Sequence, residues 1–199
     1  MQNSTVEEWS LFKSWLDLNA PETAAAVLPP VTSEVRDRHL SAIPMAIHPD
    51  LKSFYSLSDG TARLTEGGAP AAFLPPRYAP YGIERVVRAY AHMLDTVAYE
   101  VENGRSSLTI GLVAHREWLP FAASSSGDEL VLDHRQGETY GAVLEFDESK
   151  GGYVPVWTSF RKMLAEINSA VLGRGTAGRY RARIGSESSS LEWYHPRFP

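Results

Sequence analysis

Asp128, Glu129 and Asp133 lie close together, His134 follows directly, and His115 stands a short way upstream. Carboxylates and imidazoles move protons near neutral pH and bind divalent metals. Asp128 with Glu129 and Asp133 could therefore form an acid/base set, and His115, Asp133 and His134 a ligand set. The context that either chemistry uses is missing. The chain has no helical His-Glu-x-x-His, no Gly-x-Ser-x-Gly elbow, no Walker loop and no Cys/His cluster. Asp133 and His134 are neighbours in a segment that reads as a strand, so they point to opposite faces and do not readily grip one metal. Gly151-Gly152 and the stretch from Gly173 to Gly178 could suggest phosphate cradles. Neither joins a strand to a helix N-terminus, and a turn and a linker describe them better. The residues predict no catalytic group, no metal and no cofactor.

The bulk composition narrows the partner class. A chain of 199 residues can bury a core without a staple. The absence of cysteine suits a reducing compartment. The N-terminus carries Glu7 and Glu8 where a secretory signal is basic, and no apolar run approaches membrane-spanning length, so a soluble cytoplasmic protein is expected. With 24 acidic against 19 basic residues the net charge is −5, and no basic stripe crosses the predicted core. Nucleic acid is an unfavourable partner for such a surface, because Lys and Arg supply most of that affinity. The basic stretch holding Arg174, Arg179, Arg181 and Arg183 has only Tyr180 interleaved and reads as a solvated tail.

The elements that would position these groups follow from periodicity and caps. Ser4-Thr5-Val6-Glu7 reads as a capping box opening a helix with Val6, Trp9, Phe12 and Leu16 on one face, ending near Asn19-Ala20-Pro21. A short helical turn is expected over 24–28. Thr32 or Ser33 caps a second helix that Ile43-Pro44 ends, and Pro49 opens a third through Leu51, Phe54 and Tyr55 to Asp59-Gly60. Residues 61–81, including Gly67-Gly68 and Pro75-Pro76, read as a connection with a strand over Ala71 to Leu74. Ile83, Val86, Val87, Tyr90, Leu94 and Val97 form the stripe of a long helix ended by Asn103-Gly104. The alternation of Leu108, Ile110 and Leu112 predicts a further strand. Trp9, Trp15, Trp118 and Trp157 are core candidates.

The most informative stretch runs from Glu117-Trp118-Leu119-Pro120-Phe121-Ala122 through Gly127-Asp128-Glu129-Leu130-Val131-Leu132-Asp133 and Gly141-Ala142-Val143-Leu144 to Thr158-Ser159-Phe160. It reads as three strands joined by polar turns and feeding a helix that Ser159 caps, with Phe160, Leu164, Ile167 and Val171 on one face. In order and spacing these segments resemble the core signature of the SUKH superfamily, which includes fungal Smi/Knr cell-wall-assembly regulators and bacterial toxin-immunity proteins. The upstream succession Ile43-Pro44, Phe54-Tyr55, Asp59-Gly60 resembles the other half of the pattern, with Asp37 and Ser41 where the family usually shows Glu and Gly. The resemblance covers roughly residues 25–170. It implies a binding protein, with Trp118, Pro120, Gly127, Asp128, Gly141, Ser159 and Phe160 as its structural motif. It also implies that Leu191-Glu192-Trp193 returns to the domain as a strand.

The expected fold is α+β, a mostly antiparallel sheet of about five to six strands built from about residues 108–157 plus the C-terminal Trp193 region, with helices packed on one face, in a single domain. Within it, 1–24 is an N-terminal helix, 25–172 the core, 173–190 a flexible Arg/Gly/Ser linker and 191–199 a C-terminal strand or tail. Alternation puts Leu130 and Leu132 on one side of their strand and Glu129 and Asp133 on the other, and does the same for Leu144 and Phe146 against Glu145 and Asp147. If the apolar sets line the core, Glu129, Asp133, Glu145 and Asp147 share a solvent face that a basic protein could read. Gly127 is expected at positive φ, with Asp128 accepting hydrogen bonds from backbone amides of the Ser124-Ser125-Ser126 loop. The expected function is that of a monomeric immunity protein which occludes the active or substrate site of a basic toxin domain. A regulatory scaffold in cell-wall or stress signalling is the alternative.

Overall fold

Ser4 and Glu7 cap each other's backbone N–H groups as their spacing predicts and open α1 (Thr5–Asn19), whose Trp9, Phe12 and Leu16 are buried. The computed structural model describes residues 4–65, 71–186 and 188–197, so Gly67-Gly68 lie outside the described residues. Next come α2 (Pro21–Ala26), α3 (Ser33–Ser41) behind its Thr32 cap, and α4 (Pro49–Tyr55) with proline in its first turn. The strand β1 (Ala79–Pro80) leads into α5 (Ile83–Glu102), whose first free N–H, that of Ile83, is bound by the Asp59 carboxylate at 2.7 Å. A single helical turn, α6 (Ser106–Thr109), precedes the meander β2 (Trp118–Ala123), β3 (Glu129–Asp133), β4 (Val143–Asp147) and β5 (Gly152–Trp157). Ser159 then accepts from the Lys162 N–H and starts α7 (Phe160–Val171), and the hairpin β6 (Arg181–Ile184) with β7 (Leu191–Tyr194) closes the chain.

The main sheet is antiparallel with strand order β1-β2-β3-β4-β5, which is the expected α+β architecture. Leu119, Leu130, Leu132, Val143 and Trp157 share one core with Phe12 and Leu16 of α1, Phe54 of α4 and Leu164 and Ile167 of α7. The opposite face is covered as well. Trp118, Val131 and Leu144 lie there with Tyr153, Ala114 and two residues of α5, Met93 and Val97. Because Ile83, Val86 and Tyr90 of the same helix belong to the first core, α5 packs along β2 and contributes to the cores on both sides of the sheet. The face that carries Val131 and Leu144 is therefore not a wet surface.

Three expectations change. The Leu108–Leu112 alternation forms no strand. Leu108 and Thr109 donate to the Arg105 carbonyl in α6, and Leu112 sits in a turn whose carbonyl accepts from the Tyr153 N–H at 2.7 Å. Leu108 and Leu112 are exposed, so nothing buries one side of a ladder there. The Ala71–Leu74 stretch likewise gives way to a tight turn in which Leu74 and Tyr78 exchange backbone hydrogen bonds. Finally, the Leu191–Tyr194 strand does not join the main sheet. It pairs with Arg181–Ile184, so part of the stretch read as a linker is β6, held across the hairpin by an Arg183–Glu192 ion pair at 3.0 Å. The hairpin does return to the domain, because the Trp193 indole donates to the Phe73 carbonyl and the Leu191 N–H to the Thr23 hydroxyl.

Two turns of the meander require glycine in different degrees. Gly127 has φ +96° with open space around it, whereas Gly141 has φ +81° and a Cβ there would stand 2.6 Å from His48 Nε2. The His48 ring is held by the Asp50 N–H at 3.2 Å and by the Tyr140 ring at 4.8 Å, so it is not free to yield. Gly127→Ala should cost about 1–2 kcal/mol, the left-handed backbone penalty alone. Gly141→Ala should cost more by steric overlap, and urea unfolding of the two variants side by side checks the order.

Candidate functional site

The register of β3 against β4 pairs Leu130 with Glu145, Val131 with Leu144 and Leu132 with Val143. Residues directly opposite in an antiparallel pair point the same way, so Glu145 and Asp147 lie on the side of Leu130, and Glu129 and Asp133 on the side of Val131. The four carboxylates expected on one solvent face are thus split between the two sides of the sheet. Asp133 is 0 % exposed. Its carboxylate accepts from Arg135 Nε at 3.0 Å and Nη2 at 2.7 Å and from the Arg135 backbone N–H at 2.9 Å. Burial alone would raise its pKa, but the hydrogen bonds from Arg135 and Thr139 and the guanidinium charge outweigh that and hold it below the usual carboxylate range. Asp133 anchors the end of β3 and offers nothing to a partner.

Tyrosines hold the two half-buried glutamates. Glu129 accepts the Tyr81 hydroxyl at 2.6 Å and Glu145 the Tyr78 hydroxyl at 2.9 Å. Burial is the main cause that raises both carboxyls, and for Glu145 the charges of Asp128 and Asp147 raise it further. Both tyrosines come from the Pro-rich segment after Pro75-Pro76, which the sequence presents only as a connection. Their three-residue spacing around Ala79-Pro80 was the one available signal. Asp147 points to solvent at the β4–β5 turn, where hydrogen bonds from the Ser149 hydroxyl at 2.6 Å and the Ser149 N–H at 3.0 Å lower its pKa.

The β2–β3 turn brings a further acid to Glu145. Asp128 does not take backbone amides of the serine loop, as its sequence position suggested, but accepts the Ser124 and Ser126 hydroxyls, while its own N–H donates to Ser124 Oγ at 3.1 Å. Gly127 at positive φ makes that turn possible, as expected. Asp128, Glu145 and Glu148 then line a groove of about 420 Å³ with Arg77, Tyr78 and Phe146. Asp147 adds to the field at this end of the sheet, as its effect on Glu145 requires.

The groups that could have been catalytic are committed elsewhere. His134 is buried, and its Nε2 accepts the His48 N–H at 3.0 Å. That donor assigns the neutral tautomer, with Nδ1–H donating to the Leu132 carbonyl at 3.0 Å. His115 Nδ1 accepts the Glu117 N–H at 3.0 Å. Among the described residues no group of three His, Asp or Glu side chains is placed to hold a metal ion. The motif residues are structural in placement. Trp118 is fully buried under the Arg135 guanidinium, 5.1 Å from its ring, Pro120 sits opposite Val131 just before the β2 bulge, and Ser159 and Phe160 open α7.

Burial lowers the pKa of His134, chiefly by desolvation, with the nearby His48 adding to it, and the pKa values of His48 and His115 fall for the same leading reason. An imidazole depressed in the fold contributes stability that is complete above its unfolded value of about 6.5 and is lost as pH falls below it. The melting temperature should therefore drop between pH 7.5 and pH 5.5, and less steeply in His134→Gln, which keeps an acceptor for the His48 N–H. Glu129 and Glu145 titrate equally in both proteins, so equal slopes in thermal melts would refute the role given to His134.

Residues 30–166 match the model of the SMI1 / KNR4 family (SUKH-1). No curated protein matches the chain. The matched span runs from the approach to α3 into α7 and so includes the whole main sheet, the serine loop and both tyrosine-held glutamates. It covers well over half of the 199 residues, and on that ground the chain belongs to the SMI1/KNR4 family (SUKH-1).

Proposed function

We propose that this protein is a non-enzymatic, cytoplasmic protein-binding module of the immunity type, which occludes the active or substrate site of a basic toxin domain. It docks through the end of the sheet where Asp128, Glu145, Asp147 and Glu148 gather. The observation that carries this reading is geometric: Asp128, Glu145 and Glu148 line one groove, with Asp147 beside it. Arg179, 4.0 Å from Glu145, offsets part of this charge, and Asp128, Asp147 and Glu148 leave a surplus of carboxylates that a Lys or Arg brought into the groove would meet. A toxin site that receives nucleic acid or another anion is basic and fits that rim. Membership of the family supports a protein-binding role. Asp133, being buried, and Glu129, on the opposite side of the sheet, are no part of this surface.

The test is co-expression with any toxin domain found encoded beside this gene, followed by pull-down and kinetics. This chain should restore growth. The combined Asp128→Lys, Asp147→Lys and Glu148→Lys change should lower the association rate at least tenfold at low salt, with a smaller effect on dissociation. Unchanged binding by the triple variant would remove the acidic rim from the mechanism. A neighbouring toxin that this chain fails to neutralise would favour the regulatory scaffold instead.

A further inference from the structure

The serine loop has a second side, opposite in charge. A pocket of about 400 Å³ lies there, lined by Arg63, Arg77, Arg85 and Ser125, with Ala72 and Pro80 in its wall. Among the described residues no carboxylate lines it, and Arg63 and Arg77 form no ion pair. Three exposed arginines around one pocket, in a chain with net charge −5, run against the average charge of the protein. Two acids stand next to the pocket and keep their charge, Glu129, which interacts with Arg85 and accepts the Tyr81 hydroxyl, and Asp59, which accepts the Ile83 N–H. Asp59 offsets the positive end of α5, and the three arginines outnumber the two adjacent acids, so the pocket keeps a positive excess.

We propose that this pocket binds a small organic molecule through its phosphate group. Arg85 is pre-positioned, with its guanidinium 4.1 Å from the centre of the Tyr81 ring. Tyr81 is itself fixed by its hydroxyl bond to Glu129 and by its N–H to the Phe121 carbonyl at 2.8 Å. A dianionic phosphate matches three guanidinium groups better than a single carboxylate does, and Arg presents paired N–H donors that fit phosphate oxygens. The volume exceeds what a bare phosphate fills and lies within the range of small-molecule sites, and the alanine and proline wall suits an apolar substituent. Arg77 lines both grooves, so the pocket and the acidic rim share this one arginine.

Calorimetric titration with phenyl phosphate and with inorganic phosphate, at constant ionic strength, tests the assignment. Phenyl phosphate should bind saturably and more tightly than inorganic phosphate. Arg63→Gln combined with Arg85→Gln should weaken it at least tenfold, while Arg88→Gln, an exposed arginine of α5 paired with Glu84, should leave it within twofold. The single change Arg77→Gln supplies a milder variant with an expected severalfold loss, and circular dichroism confirms that each variant is folded. Absence of saturable binding, equal affinity for the two probes, or an equal loss in Arg88→Gln would overturn the proposal.

Discussion

The pairing of Leu130 with Glu145, Val131 with Leu144 and Leu132 with Val143 is the constraint on which the rest of the structure depends. A slip of one residue would exchange the two sides of β4 and set Leu144 where Glu145 now lies. The register holds because both sides have something to bury. One carries Leu130, Leu132 and Val143 to the helices, and the other carries Val131 and Leu144 to Trp118 and α5. A sheet covered on both sides leaves little open face for charges, so its acids stand at strand ends or are held by a dedicated partner.

That constraint explains how each carboxylate is handled. Asp133 lies under cover and is tied to Arg135 by several hydrogen bonds, because an unpaired buried charge would be too costly. Glu129, at the start of β3, and Glu145, in the middle of β4, are half-buried, and each receives a tyrosine hydroxyl, which satisfies one oxygen without neutralising the charge. Asp128 and Asp147 reach solvent in turns and are held by serine hydroxyls. The same residues that finish the strands thereby create a negative field at one end of the molecule. The serine loop divides that field from the arginine-lined pocket, so two surfaces of opposite sign share one turn.

The histidines follow the same logic of completed hydrogen bonding. His134 joins the end of β3 to the start of α4 through the His48 N–H, and His48 in turn accepts from the Asp50 N–H. Gly141 lets that ring approach the β3–β4 turn. A pair of imidazoles that could suggest chemistry is in this fold a structural tie between the helical layer and the sheet.

Local rules settled a large part of this protein from the sequence alone. The capping box of α1, the Thr32 and Ser159 caps, the proline opening of α4, the stripe of α5 and the alternation within each meander strand all depend on neighbours a few residues apart. Gly127 at positive φ belongs with them. The family pattern was legible for the same reason, since it consists of such short segments in order. What faces what was left to the tertiary structure. Alternation says that Glu145 and Leu144 oppose each other across a strand, but only the register and the covering by α5 decide that Glu145 shares the side of Leu130 and that Asp133 is enclosed. The tyrosine partners of the glutamates, the three arginines of the pocket and the β6–β7 pairing join residues far apart in the chain. No short-range rule reaches them, because they arise when distant segments compete to satisfy the same buried polar groups and apolar surface.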